Sequence, residues 1–381
     1  MILTVLTVLM SLGLGLGILF LFMGVINAFT AIRMRDAREL SQVSEVDLPS
    51  VSILIPARDE AENLKRLLPL LMASRSKPLE ILVLDDGSSD GTAKVAREIL
   101  AQGKVYFRVI EGQTWRADAS LSGKNSACAQ LTEYASGEVF IFCDADMRVS
   151  PEAIGRTLRL LQMHACSGVT GLPRQISQGV KERLVLPWIM QLPIILSLPL
   201  AYGWKTRFSS LQMANGQWLA VRRESYFKIG GHAALGRTVL EDVTLARRLV
   251  EQGQPGILPV LASEDLSVEM YAGWEKLVDG FSKNLISLFG GDLFRFGILV
   301  MIINLVFTLP LWGLFISWRL ALADAVILLI CRMITARLFN DPLGNLTFHC
   351  RSLFLFDRLV FLVSRRHSRG DVRWKGRKID I

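Results

Sequence analysis

The chain has 381 residues, 51% of them hydrophobic, and its mean hydropathy of +0.37 is too apolar for an enzyme lying wholly in water. The net charge of +8 does not point to nucleic acid, because the basic residues cluster beside apolar segments, at Arg33, Arg35 and Arg38 and from Arg365 to Lys378. That is the positive-inside pattern of a membrane protein.

Ile2 to Phe29 carries no charge and exceeds the roughly 20 residues that a spanning helix needs. A cleaved signal peptide would start basic and have a shorter apolar core. Here the positive charges follow, so residues 1–30 are expected to be a retained anchor with the next domain in the cytoplasm. From Leu48 the composition turns globular. Val51 to Pro56, Leu79 to Leu84 and Val105 to Ile110 read as strands, with helices from about Ala61 to Ala73 and after Thr92. Strands alternating with helices imply βαβ units and a mainly parallel sheet in a domain over residues 48–275. Five scattered cysteines, odd in number and without CxxC pairs, support neither a disulfide framework nor a zinc site, and suit reduced thiols.

Within that domain, Leu184 to Trp204 is uncharged but holds Pro187, Pro193 and Pro199, too many for one helix. An interfacial segment and a plain buried one both fit it. Residues 296–338 read as two more spans, Phe296 to Trp318 and Leu320 to Leu338. Residues 339–381 then form an interfacial segment and a basic cytoplasmic tail.

The unbroken apolar run Val139 to Cys143 reads as a strand buried on both faces. It ends in Asp144-Ala-Asp146, at the carboxyl edge of the sheet where open α/β folds bind ligands. Residues i and i+2 of an extended stretch point the same way. Two carboxylates so placed can grip Mg²⁺ or Mn²⁺ that keeps waters and takes further oxygens from a diphosphate. Taken alone, the pair also fits a surface turn. Asp85-Asp86-Gly87 ends the second strand, where a carboxylate can accept an N–H from a base, although Asp-Gly is also ordinary turn chemistry. Asp90 reads as a helix cap. Lys124, after Gly123, stands at a helix start that suits phosphate. Glu241 and Asp242 begin another helix, where acidic residues are favoured in any case.

Ile53-Leu-Ile-Pro-Ala-Arg-Asp-Glu60, Val83-Leu-Asp-Asp-Gly-Ser-Ser-Asp90, Gly123-Lys124, Asp144-Ala-Asp146 and Glu241-Asp242 resemble, in order and spacing, the family 2 glycosyltransferases of GT-A fold. Asp371-Val-Arg-Trp-Lys-Gly-Arg377 and Gly280-Phe-Ser-Lys-Asn284 resemble the membrane-bound branch acting on lipids. Within it the chain is most similar to carotenoid (diaponeurosporenoate-type) and hopanoid-associated enzymes. The resemblance implies an α/β, Rossmann-like catalytic domain with transmembrane helices at both ends. It implies a nucleotide-sugar site formed by Pro56, Ala57, Glu60, Asp85, Asp86, Lys124 and Asp144. Asp144 and Asp146 would hold the metal, and Asp242, beside Glu241, would be the catalytic base of an inverting transfer. The Gln/Arg-x-x-Arg-Trp motif of processive synthases is missing after Asp242, which favours transfer of a single sugar, from a UDP-hexose to a membrane lipid. The expected partners are the nucleotide-sugar, a carotenoid or other isoprenoid acceptor and the lipid bilayer, with no nucleic acid. The expected location is the cell membrane, multi-pass, with the catalytic domain cytoplasmic. Two alternatives stay open, a polyprenyl-phosphate sugar synthase and a non-catalytic membrane scaffold.

Overall fold

The structure is a computed structural model that describes residues 2–38, 48–113, 121–271, 273–288, 292–370, 372–374 and 377–378. Asp371, Lys375 and Gly376 of the closing motif lie outside these residues. Along the chain, helix α1 (Ile2–Thr30) is followed by β1 (Val51–Ala57), α2 (Ala61–Met72), β2 (Glu80–Asp85), α3 (Thr92–Leu100), β3 (Tyr106–Glu111), α4 (Gly123–Tyr134) and β4 (Val139–Cys143). Next come β5 (Met147–Val149), α5 (Ala153–Met163), β6 (Gly168–Leu172), β7 (Arg174–Gln175), α6 (Val180–Met190), α7 (Leu192–Ser197), β8 (Trp218–Arg222), α8 (Arg223–Lys228), α9 (Glu241–Glu251), β9 (Ile257–Leu261) and β10 (Leu266–Val268). Helices α10 (Trp274–Leu288), α11 (Leu293–Trp312), α12 (Trp318–Leu338) and α13 (His349–Ser368) lead to the short strands β11 (Arg373–Trp374) and β12 (Arg377–Lys378).

The described residues form two compact units. Residues 31–175 and 200–269 make an α/β unit around a seven-stranded sheet of order β3-β2-β1-β4-β8-β6-β9. Every pairing is parallel except those of β8, which runs antiparallel to β4 and to β6. The expected mainly parallel sheet is present. The run Val139 to Cys143 is buried at every residue because the sheet is covered on both faces. On α2 the apolar spacing places Leu64, Leu67, Leu68 and Leu71 at 0% exposure. Each such leucine contributes roughly 1.5–3 kcal/mol by leaving water. Edge strand β3 is instead exposed or half-buried at every residue but Ile110.

Residues 1–30, 176–199 and 270–381 make a helical unit. The domain expected over 48–275 is therefore redrawn, since 176–199 pack with the terminal helices. The three prolines do not share a helix: Pro187 lies in α6, Pro193 in the first turn of α7, and Pro199 beyond it. Most of this stretch is buried, including Leu184, Val185, Trp188, Ile189 and Ile195. Asn27 of α1, itself fully buried, donates to the carbonyls of Ile195 and Leu198 at 2.8 Å each. Those carbonyls belong to a helix end and lack intrahelical partners.

Among the described residues one helix, Thr4–Thr30, is long and apolar enough to cross a membrane. The two further spans expected over 296–338 fall on α11 and α12, neither of which passes that test by itself among the described residues, and α12 carries Arg319, Asp324, Arg332 and Arg337. The short apolar run Leu353 to Val363 lies inside the longer helix α13.

Candidate active site

The site lies at the carboxyl edge of β1, β2 and β4, in the α/β unit. After β1 and β2 two loops lock together. The Asp59 amide donates to Ser88 Oγ at 2.9 Å, and Ser89 N donates to Asp59 Oδ1 at 2.8 Å. Asp90 caps both following helices, accepting from Ala61 N and Thr92 N at 3.0 Å each, as its sequence position suggested. Gly87, at φ +71°, makes the turn that a side chain would strain.

The structure separates the two carboxylates of this turn. Asp85 Oδ1 accepts from Ser88 N at 2.9 Å and from Ser88 Oγ, so it holds the loop. Asp86 instead faces Arg58, whose Nη1 stands 3.8 Å from its Oδ2 and donates to its carbonyl at 3.2 Å. Pro56 and Ala57 close β1, and the Ala57 carbonyl accepts from Asp86 N at 2.8 Å. Glu60 accepts from Asn63 Nδ2 at 2.6 Å, and its charge is felt at Asp146.

Lys124 is the centre of the opposite wall. Ser122 caps α4 by accepting from Asn125 N, which fixes the helix start one residue before Lys124. Lys124 Nζ lies 3.0 Å from Asp144 Oδ1 and 3.0 Å from Glu241 Oε1. Burial alone would lower its pKa, but these two carboxylates hold it well above the usual lysine range. The ammonium thus ties the end of β4 to the start of α9.

Asp144 and Asp146 follow β4 directly and are half-buried, with the buried Ala145 between them, so both side chains share the open side. Asp146 Oδ1 is closed off from solvent and has no hydrogen-bond partner. Burial, and then the charges of Asp144 and Glu60, push its carboxyl up to about 7. An unpartnered buried oxygen beside a second carboxylate fits a divalent cation. Among the described residues no group of three or more His, Cys, Asp or Glu side chains could hold a metal alone. The remaining coordination would come from water and substrate, as suits a hard cation such as Mg²⁺ or Mn²⁺.

Asp242 is held by two backbone donors, Gly216 N at 2.7 Å to Oδ2 and Val243 N at 2.8 Å to Oδ1. Burial first, and then the Glu241 charge, raise its carboxyl to about 6. The Asn215–Gln217 loop enters because β8 runs antiparallel beside β4, and the Asp144 amide donates to the Gln217 carbonyl at 3.1 Å. A Cβ at Gly216 would stand 3.3 Å from Lys124 Nζ and 3.5 Å from Asp242 Oδ2. Sequence reasoning missed this glycine and Arg58, and the dipeptide Asn215-Gly216 before an apolar strand was the available turn signal. His232, close to this site in the chain, is structural. It is 2% exposed, its backbone N donates to Tyr226 Oη at 2.9 Å, its Nδ1 lies 2.9 Å from the same oxygen, and its ring packs 4.7 Å from Phe142.

The sheet edge therefore gathers two paired carboxylates, a half-buried lysine bridging two acidic residues and a backbone-held Asp242, on a sheet of GT-A type. Residues 52–242, half of the chain, match the glycosyl transferase family 2 model, and the chain belongs to that family. It is 27% identical over 360 residues, covering 87% of this chain and 88% of the relative, to a 4,4'-diaponeurosporenoate glycosyltransferase of Staphylococcus aureus strain bovine RF122 / ET3-1. The enzyme of the same name from strain USA300 is 26% identical over 356 residues, with the same coverages. A mannosyltransferase of Pyrobaculum calidifontis, solved with GDP-Man and Mn²⁺, shares the fold, with a TM-score of 0.55 at 15% identity over 97% of this chain and 99% of that one.

Proposed function

We propose that this glycosyltransferase moves one hexose from a UDP-sugar to a membrane lipid acceptor, a carotenoid or another isoprenoid, with inversion at the anomeric carbon. The observation that carries the reading is Asp242. Its two oxygens are pinned by Gly216 and Val243, and its basicity is raised into the range useful for a general base near neutral pH. Where the acceptor is a hydroxyl, the carboxylate takes its proton as that oxygen attacks the sugar; an acid acceptor arrives ionised, and there Asp242 acts through position and charge.

Pro56, Ala57, Glu60, Asp85 and Asp86 form the nucleotide end of the donor site. With Asp85 committed to its turn, Asp86 is the carboxylate that faces the base, its position set by Arg58. Lys124 turns from Asp144 towards the diphosphate when donor binds. Asp144 and Asp146 would hold Mg²⁺ or Mn²⁺, which when bound would neutralise charge on the leaving diphosphate. The relatives' name supports a carotenoid-like acceptor.

Helix Thr4–Thr30 and the basic clusters around Arg33 and Arg365 support attachment to the cell membrane, with the α/β unit in the cytoplasm and further spans in residues 296–338. The test is transfer from UDP-[¹⁴C]glucose and other UDP-hexoses by purified enzyme, with carotenoid and polyprenyl acceptors in detergent, followed by mass spectrometry. A product heavier by one hexose is expected. Lengthening sugar chains, or no transfer to any lipid, would refute the proposal.

A further inference from the structure

Arg332 of α12 lies in the helical unit with 6% of its surface exposed. Its Nη1 is 2.9 Å from His349 Nδ1, and His349 Nε2 is 2.9 Å from the Phe307 carbonyl oxygen. A guanidinium only donates, so Nδ1 accepts, and the ring proton sits on Nε2, pointed at Phe307. His349 is therefore neutral. The Arg332 guanidinium also lies 5.6 Å from the centroid of the Trp188 ring, a cation–π contact.

Among the described residues no carboxylate pairs with Arg332. Asp324, two turns earlier on the same helix, is fully buried with both carboxylate oxygens unpartnered, so it does not supply the counter-charge. Arginine does not shed its proton, and a buried cation facing only an imidazole and an indole is poorly compensated. One bond to His349 leaves most of its N–H donors unused, in the parallel pairs that match a carboxylate or phosphate. The helices that carry Arg332 and His349, α12 and α13, expose apolar side chains on their outer faces, among them Leu322, Val326, Leu329, Phe354 and Phe361. A ligand acid group at this place would carry a hydrocarbon.

The geometry points to Arg332, braced by neutral His349 and stacked on Trp188, as a binding site for the carboxylate or phosphate of a membrane amphiphile. Two sources share that chemistry: the headgroup of an acidic phospholipid and the acid group of an amphiphilic acceptor. The second rests on the proposed function.

The experiment uses the full chain, delipidated in a neutral maltoside detergent, and reads equilibrium binding and thermal shift. The probes are palmitate against palmityl alcohol, and short-chain phosphatidylglycerol against phosphatidylcholine. At least one acid is expected to bind and raise Tm where its neutral analogue does not. Palmitate alone assigns a carboxylate amphiphile, and phosphatidylglycerol alone assigns a phospholipid headgroup. Arg332→Met should weaken that binding at least about tenfold, the loss of a charge-assisted pair. Its ligand-free Tm should not fall, because the uncompensated charge is gone. If that variant does not fold, Arg332→Lys keeps charge and stem but lacks the planar fork, and should also bind at least about tenfold more weakly. Equal binding of acids and neutral analogues, or wild-type binding by the variants, would overturn the proposal. No sugar transfer enters the readout, so its failure is distinct from failure of the proposed reaction.

Discussion

Asp242→Asn should remove activity and stabilise the protein at once. The carboxylate is displaced from 3.8 to about 6, mainly by burial. Keeping it ionised at pH 7 therefore costs about 3 kcal/mol relative to the unfolded chain. Asparagine removes that cost but has one acceptor oxygen where the carboxylate has two. Either the Gly216 or the Val243 hydrogen bond is lost, at about 1–2 kcal/mol. The net gain is about 1–2 kcal/mol, or roughly 2–8 °C in Tm for a domain of this size. The sign with pH follows from the raised value. The favourable contribution of the protonated wild-type group is complete below 3.8 and is lost as pH rises through about 6. The Tm advantage of the variant should therefore be largest above pH 7 and turn into a deficit near pH 4, where only the lost hydrogen bond remains. Activity runs the other way, with wild-type kcat falling as pH drops through about 6. With a hydroxyl acceptor, loss of the base should lower kcat by about 10²–10⁴-fold with little change in donor KM, and with an acid acceptor the loss should be smaller. Thermal shift from pH 4 to 8 and kcat over the workable part of that range decide the matter. A variant with near-normal kcat, or one less stable than wild type at pH 7.5, would show that Asp242 is not a buried base.

Asp146→Ala should abolish the EDTA-sensitive part of the activity, and titration of Mn²⁺ into the apo-enzyme checks this by the loss of the saturable rise in rate. Lys124→Met removes the cation that stands between Asp144 and Glu241. It should lower stability by about 1–3 kcal/mol and raise the donor KM, measured by denaturation and initial rates. Gly216→Ala places a Cβ 3.3 Å from Lys124 Nζ, so kcat should drop about tenfold while Tm stays within about 2 °C, since the lysine end can give way. Cys350 is exposed and the other four cysteines are buried, so an impermeant maleimide reports where α13 begins. Labelling is expected after permeabilisation only, and rapid labelling of intact cells would place that end outside.

The catalytic sheet was legible in the sequence because its strands are short apolar runs ending in polar residues, a pattern that burial on both faces imposes locally. The same holds for Asp144 and Asp146, which follow β4 whatever the rest of the chain does, and for Glu241, Asp242 and Lys124 at helix starts. What the chain order could not reveal is which of these meet. Lys124 and Glu241 are 117 residues apart, and only the packing of α4 and α9 against the sheet brings them to 3.0 Å. The Gly216 amide reaches Asp242 because β8 turns antiparallel beside β4, a long-range pairing with no local signature. Glu80 carries a charge within a strand, yet it is 3% exposed because Ser52 and Ser136, brought in by β1 and the approach to β4, satisfy its carboxylate. The division of residues 176–199 from the α/β unit was equally invisible, since an apolar stretch with prolines packs against whichever helices the fold provides. Local polarity patterns determined the elements and the chemical groups. Tertiary contacts decided which groups became partners, and partnership sets their charge and basicity.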